Sequence, residues 1–201
     1  MGQVTNLRTK PLFALSPGGL RSHGADAPGA RFPGAAGSME RMQTASEPGE
    51  SSPHVRGLVL PVLLAGLLTS GRWQHPGDDV LHRALPWFED PLVFLRTAGA
   101  MESESASLDA DADDDWASRY FHVTRGTGHR LGLPWLDARL ALLIAVNRTP
   151  GDDVAIALDY RCENGSPMVV ASDAWTYPDG YLWRPVAPSF GAFASMLGIT
   201  P

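Results

Sequence analysis

An α+β fold, with N-terminal helices, then a mainly antiparallel sheet closed by a C-terminal helix, follows from three features of this 201-residue chain. Apolar residues recur at helical spacing from Leu60 to about Val123. After Leu133 the texture changes to short apolar runs and period-two alternation. Those runs are separated by tight-turn sequences, which suit antiparallel neighbours rather than the long crossovers of a parallel sheet.

The elements can be taken in order. Leu60, Leu63, Leu64, Leu67 and Leu68 form one helical face, with Pro61 in the first turn and Gly71 as the stop. Asp90-Pro91 reads as an N-cap and first-turn proline, which predicts a second helix with Leu92, Val93 and Leu95 inside, running toward Ser107. The acid-rich stretch 109–115 is a loop or a helix start, and Trp116, Tyr120 and Val123 fall on one further helical face. Leu140 to Val146 reads as a strand buried on both sides. Val154, Ile156, Leu158 and Tyr160 alternate with Ala155, Ala157 and Asp159, as in a strand. Shorter strands are expected at 168–171 and 181–186. Ser189 then caps a final helix with Phe190, Phe193 and Leu197 on one face and Gly198 at its end. PGDDV occurs at 76–80 and 150–154, and Leu-Pro-Trp at 85–87 and 133–135. Their order is reversed between the halves, so both strings read as turn signals rather than a duplication.

Residues 1–56 differ from the rest. Fourteen of the 56 are Gly or Pro, and their apolar residues show no period. Such a stretch buries too little to offset the entropy of ordering it, so a disordered tail is expected there and a folded domain over 57–201. Met39 and Met42 are alternative starts. Six basic against four acidic residues leave the tail at +2, and ten against eighteen leave residues 57–201 at −8.

That acidity disfavours a nucleic-acid-binding surface. The lone Cys162 excludes an intramolecular disulfide and a cysteine zinc cage. The apolar run 58–68 is too short to span a bilayer, and the polar start Met1 to Lys10 argues against a signal peptide. A cytoplasmic protein without membrane contact is the expectation.

Catalytic chemistry finds little support. Ser166 lies in the turn Gly165-Ser166-Pro167, without a nucleophile elbow, and Cys162 has no local signature. His75, Asp78, Asp79 and His82 could be assembled into a metal-dependent hydrolase, but the histidines are seven apart instead of four. Asp109, Asp111 and Asp113 open like a calcium loop, yet Asp114 replaces the turn glycine and Tyr120 the closing glutamate. No catalytic, metal or cofactor residue is therefore assigned, and the chain reads as a non-enzyme. The aromatics say more: Trp175, Tyr177, Tyr181 and Trp183 cluster around Pro178-Asp179-Gly180, and such rings either line a core or anchor an interface. With Asp109, Asp111, Asp113, Asp114, Asp115 and Trp116 they make the candidate contact surface for a basic protein partner.

Several of these strings together resemble the pattern of one family. They are Leu133-Pro134-Trp135-Leu136-Asp137, the strand to Val146, Gly151-Asp152-Asp153, Val154 to Arg161, and Trp183-Arg184-Pro185-Val186-Ala187 with Ser189, Phe190 and Phe193. With Leu60-Pro61 and the leucine-rich helix before Trp73, residues 58–199 resemble the SUKH superfamily, the Smi/Knr-type immunity-protein domain. The resemblance implies an α+β domain that binds and neutralises a cognate bacterial toxin, often a nuclease, with no reaction of its own. The alternative it implies is a regulatory or scaffold module, as in fungal relatives. Gly151, Asp152, Asp153, Asp159 and Tyr160 match the family's marked positions and, with Phe190 and Phe193, are expected to determine the fold. The toxin-facing surface varies in that family, so no binding residue is carried over. The tail and the acidic stretch lie outside its pattern.

Overall fold

The computed structural model describes residues 53–89, 91–126, 131–149, 154–162, 166–176 and 180–199. It begins with a hairpin of β1 (His54–Val55) and β2 (Leu58–Val59), which turns at Arg56 and Gly57. Arg56 has a φ of 55°, a region most side chains avoid. Its guanidinium holds it there, donating to the Ser105 carbonyl and the Asp109 carboxylate, each at 2.6 Å. Val55 is part of the core, so the expected boundary at 56/57 falls inside a folded hairpin.

Helix α1 (Val62–Thr69) buries Leu64 and Leu67 as the leucine spacing predicts. It ends in a Schellman motif. Gly71 takes a φ of 69°, its N–H donates to the Leu68 carbonyl, and the Arg72 N–H donates to Leu67. The first PGDDV string is not a simple turn: Asp78 and Asp79 open helix α2 (Asp78–Ala84), and His82 and Arg83 close it. Charge of that polarity suits the helix dipole. The second copy falls largely outside the described residues, as do Asp90, Gly151, Asp152 and Asp153.

The helix expected over Leu92 to Leu95 is a strand, β3 (Leu92–Phe94), paired antiparallel with β6 (Ala141–Asn147). Leu92 and Phe94 are buried and Val93 is exposed, the alternation of a strand rather than a helix face. The helix starts later, where Thr97 Oγ1 accepts from the Ala100 N–H at 3.1 Å, and α3 (Ala98–Asp113) continues through most of the acidic stretch. Asp114 then caps α4 (Asp115–Phe121). Val123 belongs to β4 (Val123–Thr124), which pairs in parallel with β5 (Leu136–Asp137).

The main sheet runs β3-β6-β7-β8-β9, all antiparallel, with β7 (Ala155–Asp159), β8 (Met168–Asp173) and β9 (Leu182–Ala187). Residues directly opposite one another share a face. Phe94, Ala145, Ile156 and Ala171 therefore lie on one side, and Ser172 and Trp183 on the other. On the first side Trp73 packs on Phe94, at 4.6 Å between rings, and on Phe190 of α5 (Phe190–Met196), at 5.3 Å; α5 in turn packs on α1. On the second side α3 packs on β6 and on α4, and Trp183 Nε1 donates to the Phe121 carbonyl at 3.0 Å. Helices thus cover both faces. That is why every residue of β6 and β7 is buried, and why the period-two alternation of β7 does not mark one wet face.

The expected fold determinants that are described have concrete tasks. Asp159 ends β7 in the interior, gripped by Arg161, with Nε 2.9 Å from Oδ1 and Nη2 2.7 Å from Oδ2. The Tyr160 hydroxyl donates to the Val59 carbonyl at 2.8 Å and ties the sheet to the first hairpin. Burial pushes this phenol well above its ordinary pKa. Phe190 and Phe193 fill the core beneath α5, and Ser189 Oγ caps that helix by accepting from the Ala192 N–H at 3.2 Å.

Candidate functional site

The acidic stretch is largely engaged within the fold. Asp109 meets Arg56 at 2.6 Å and Arg125 at 3.3 Å, and Arg125 reaches Asp113 at 2.9 Å. Asp114 Oδ1 accepts from the Trp116 and Ala117 N–H groups at 3.1 and 2.9 Å. Asp111 is half-buried on the last turn of α3. Asp115 is exposed, and among the described residues it forms no ion pair. Of the two readings of this stretch, the helix start holds at Asp114 and Asp115, while 109–113 belong to α3 and not to a loop. Two of its carboxylates lock α3 to the hairpin and to the segment after β4, and a third starts α4.

What α4 presents is aromatic. Ala117 and Phe121 face the core, so the helical repeat leaves Trp116 and Tyr120 outside, 49% and 40% exposed. Their rings stack at 5.0 Å and 10° between planes. Beneath them Tyr120 meets Phe121 edge-on at 4.9 Å and Tyr181 at 6.3 Å; Phe121 meets Tyr181 at 5.1 Å, and Tyr181 meets Trp183 at 5.9 Å. A continuous aromatic column runs from the surface to the sheet. Its geometry brings two segments of the expected site together, through Tyr120 and Tyr181.

The same column divides the expected aromatic residues. Tyr181 and Trp183 are 2% and 1% exposed, so they are supports of the site and not contact residues. Strand pairing of β9 with β8 aims Trp183 inward, which composition alone could not show. Trp175 is 58% exposed on the loop after β8, where its N–H donates to Asp173 Oδ1 at 3.1 Å. Tyr177 lies outside the described residues. Tyr120, which the sequence places on the same helical face as Trp116, joins it at the surface although it was not among the expected contact residues. The signal was there, since an i, i+4 aromatic pair on a helix this short can be all outside as easily as all inside.

His122 follows α4 in a left-handed conformation, its ring 5.0 Å from Trp135. Burial lowers its pKa, against the opposing effect of a hydrogen bond to the Tyr181 backbone. The residues weighed for a metal hydrolase do not converge: His75 Nε2 is 3.7 Å from the exposed Asp78, and Nδ1 accepts from the Gly77 N–H. Among the described residues no group of three or more His, Cys, Asp or Glu is placed to hold a metal ion. None of their helices is long and apolar enough to cross a membrane.

No family model matches this chain, and no curated protein or solved structure does so either. The exposed pair on α4 is therefore judged on its own chemistry. Two flat rings held by a packed column offer large contact area at little entropic cost, which is the character of a binding anchor.

Proposed function

We propose that this protein is a non-enzymatic immunity protein of the SUKH kind, which binds a cognate bacterial toxin domain in the producer's cytoplasm and occludes it. The observation that carries the reading is the stacked, exposed Trp116–Tyr120 pair, rigidly backed by Phe121, Tyr181 and Trp183. Support also comes from the resemblance of residues 58–199 to that superfamily, and from the charge of −8 over 57–201, which favours a basic partner such as a nuclease domain. Asp115, exposed and next to Trp116 in the chain, supplies a carboxylate at its rim.

The test is co-expression with the toxin gene beside this one. Restored growth and co-purification are expected, and failure of both overturns the reading. Trp116→Ala with Tyr120→Ala should weaken the complex by about tenfold or more while leaving the melting temperature nearly unchanged. An unbiased pull-down separates the alternative of a regulatory scaffold, which would return a housekeeping protein in place of a toxin.

A further inference from the structure

The outer side of β3 has a character of its own, unrelated to the α4 face. In the ladder with β6, the Leu95 N–H donates to Ile144 at 2.9 Å and the Arg148 N–H donates to Pro91 at 2.7 Å. Those two bonds, either side of the Val93–Val146 pair, place Pro91, Val93 and Leu95 as the residues bonded to β6. The backbone N–H and C=O groups of Leu92 and Phe94 consequently point away from β6. Nothing in the strand order lies beyond β3.

Leu92, Val93 and Phe94 line a groove of about 310 Å³ together with Gln74 and His75. His75 is seated against the strand, its ring edge-on to Phe94 at 5.4 Å, and the neighbouring Trp73 packs on the same ring. Arg148 and Arg96 stand at the two ends of β3 and line the groove. Both are exposed, and neither forms an ion pair among the described residues. None of the described lining residues is acidic. Two arginines without an ion pair among the described residues thus line one groove of an otherwise acidic domain. The opposite edge is different, since Pro185 within β9 lacks an N–H and blunts strand addition.

We propose that the β3 edge binds an extended acidic peptide segment by β-strand addition, its backbone pairing with Leu92 and Phe94 and its carboxylates meeting Arg96 and Arg148. Strand addition supplies affinity through main-chain hydrogen bonds and selectivity through the flanking side chains. The two arginines are separated by Pro91 to Arg96, roughly 17 Å of extended chain, so a strand of five to seven residues reaches both. An open, shallow groove lined by β3 fits a strand better than an enclosed small molecule.

The probe is a fluorescein-labelled Glu-Val-Glu-Val-Glu-Val-Glu peptide with blocked ends, titrated with the full chain and followed by anisotropy. Saturable binding is expected. It should weaken about tenfold with Arg96→Glu and Arg148→Glu combined, as charge-assisted contacts are lost. The same peptide with alternate amides N-methylated, titrated against the unaltered chain, should also lose affinity because it cannot pair as a strand. A lysine counterpart should not bind. Absence of binding, indifference to the arginine changes, or equal binding of the methylated peptide would each overturn the proposal. So would a chain that sediments as a dimer and excludes the peptide, since a second copy would then occupy the edge.

Discussion

Asp173 ends β8 with its carboxylate fully enclosed and every neighbour a donor. Oδ1 accepts from the Trp175 and Thr176 N–H groups at 3.1 and 2.8 Å, and Oδ2 accepts from Thr176 Oγ1 and meets Arg184 at 2.6 Å each. Burial alone would raise its pKa, but the Thr176 hydroxyl, the two amides and Arg184 together outweigh it and hold the group below the ordinary value. A carboxyl whose folded pKa is depressed stabilises the fold above its unfolded pKa and loses that contribution as pH falls through the folded value. Asp173→Asn should therefore destabilise the protein near pH 7 by about 2–4 kcal/mol, since Arg184 loses its partner and two amides lose a charged acceptor. The difference from the unaltered protein should shrink as pH drops below about 4, which urea unfolding across pH will show. A difference independent of pH would remove the charge from this account. At this scale the sequence was partly legible. Ser189 as a cap followed from its place before an apolar repeat, whereas Thr97 was masked by Asp90-Pro91, an equally good start signal that the chain does not use as one.

Between elements, one hydroxyl joins α3 to the sheet. β6 shifts register between Leu143 and Ala145, and Ser105 Oγ, fully buried, accepts from the Leu143 N–H at 2.9 Å. Ser105→Ala leaves that amide buried without its acceptor and should cost about 1–3 kcal/mol. Hydrogen exchange at Leu143 should accelerate in the same variant, and unchanged exchange would show that the serine is incidental. The buried stripe of α3, Met101, Ser105 and Leu108, is narrow and contains a polar residue, so hydrophobic spacing gave no sign of which face docks. Strand β3 was misread for a related reason. Three residues are too few for period two and period 3.6 to be told apart, and pairing with β6 settles the matter.

Over the whole domain, the proposed binding assigns charge and aromatic contact separable contributions. With residues 57–201 at −8, association with the proposed basic toxin should be steered by long-range attraction. The association rate should fall steeply as salt rises from about 0.05 to 0.5 M, while dissociation responds mainly to Trp116→Ala and Tyr120→Ala. Stopped-flow mixing with the co-purified toxin domain measures both; a salt-independent association rate would leave the acidity without a role in binding. Composition, leucine spacing, turn residues and caps were enough to determine the α+β class, the places of β6, β7, β8 and β9 along the chain and both ends of α5. Those are properties of neighbours in the chain, where local geometry and burial period act directly. Which aromatic rings face water, which carboxylates are bound by arginine, and that both sheet faces are covered were decided only by packing. Such outcomes depend on residues far apart in sequence, Arg56 with Asp109, Tyr120 with Tyr181, Trp183 with Phe121, and no local pattern encodes which of them meet.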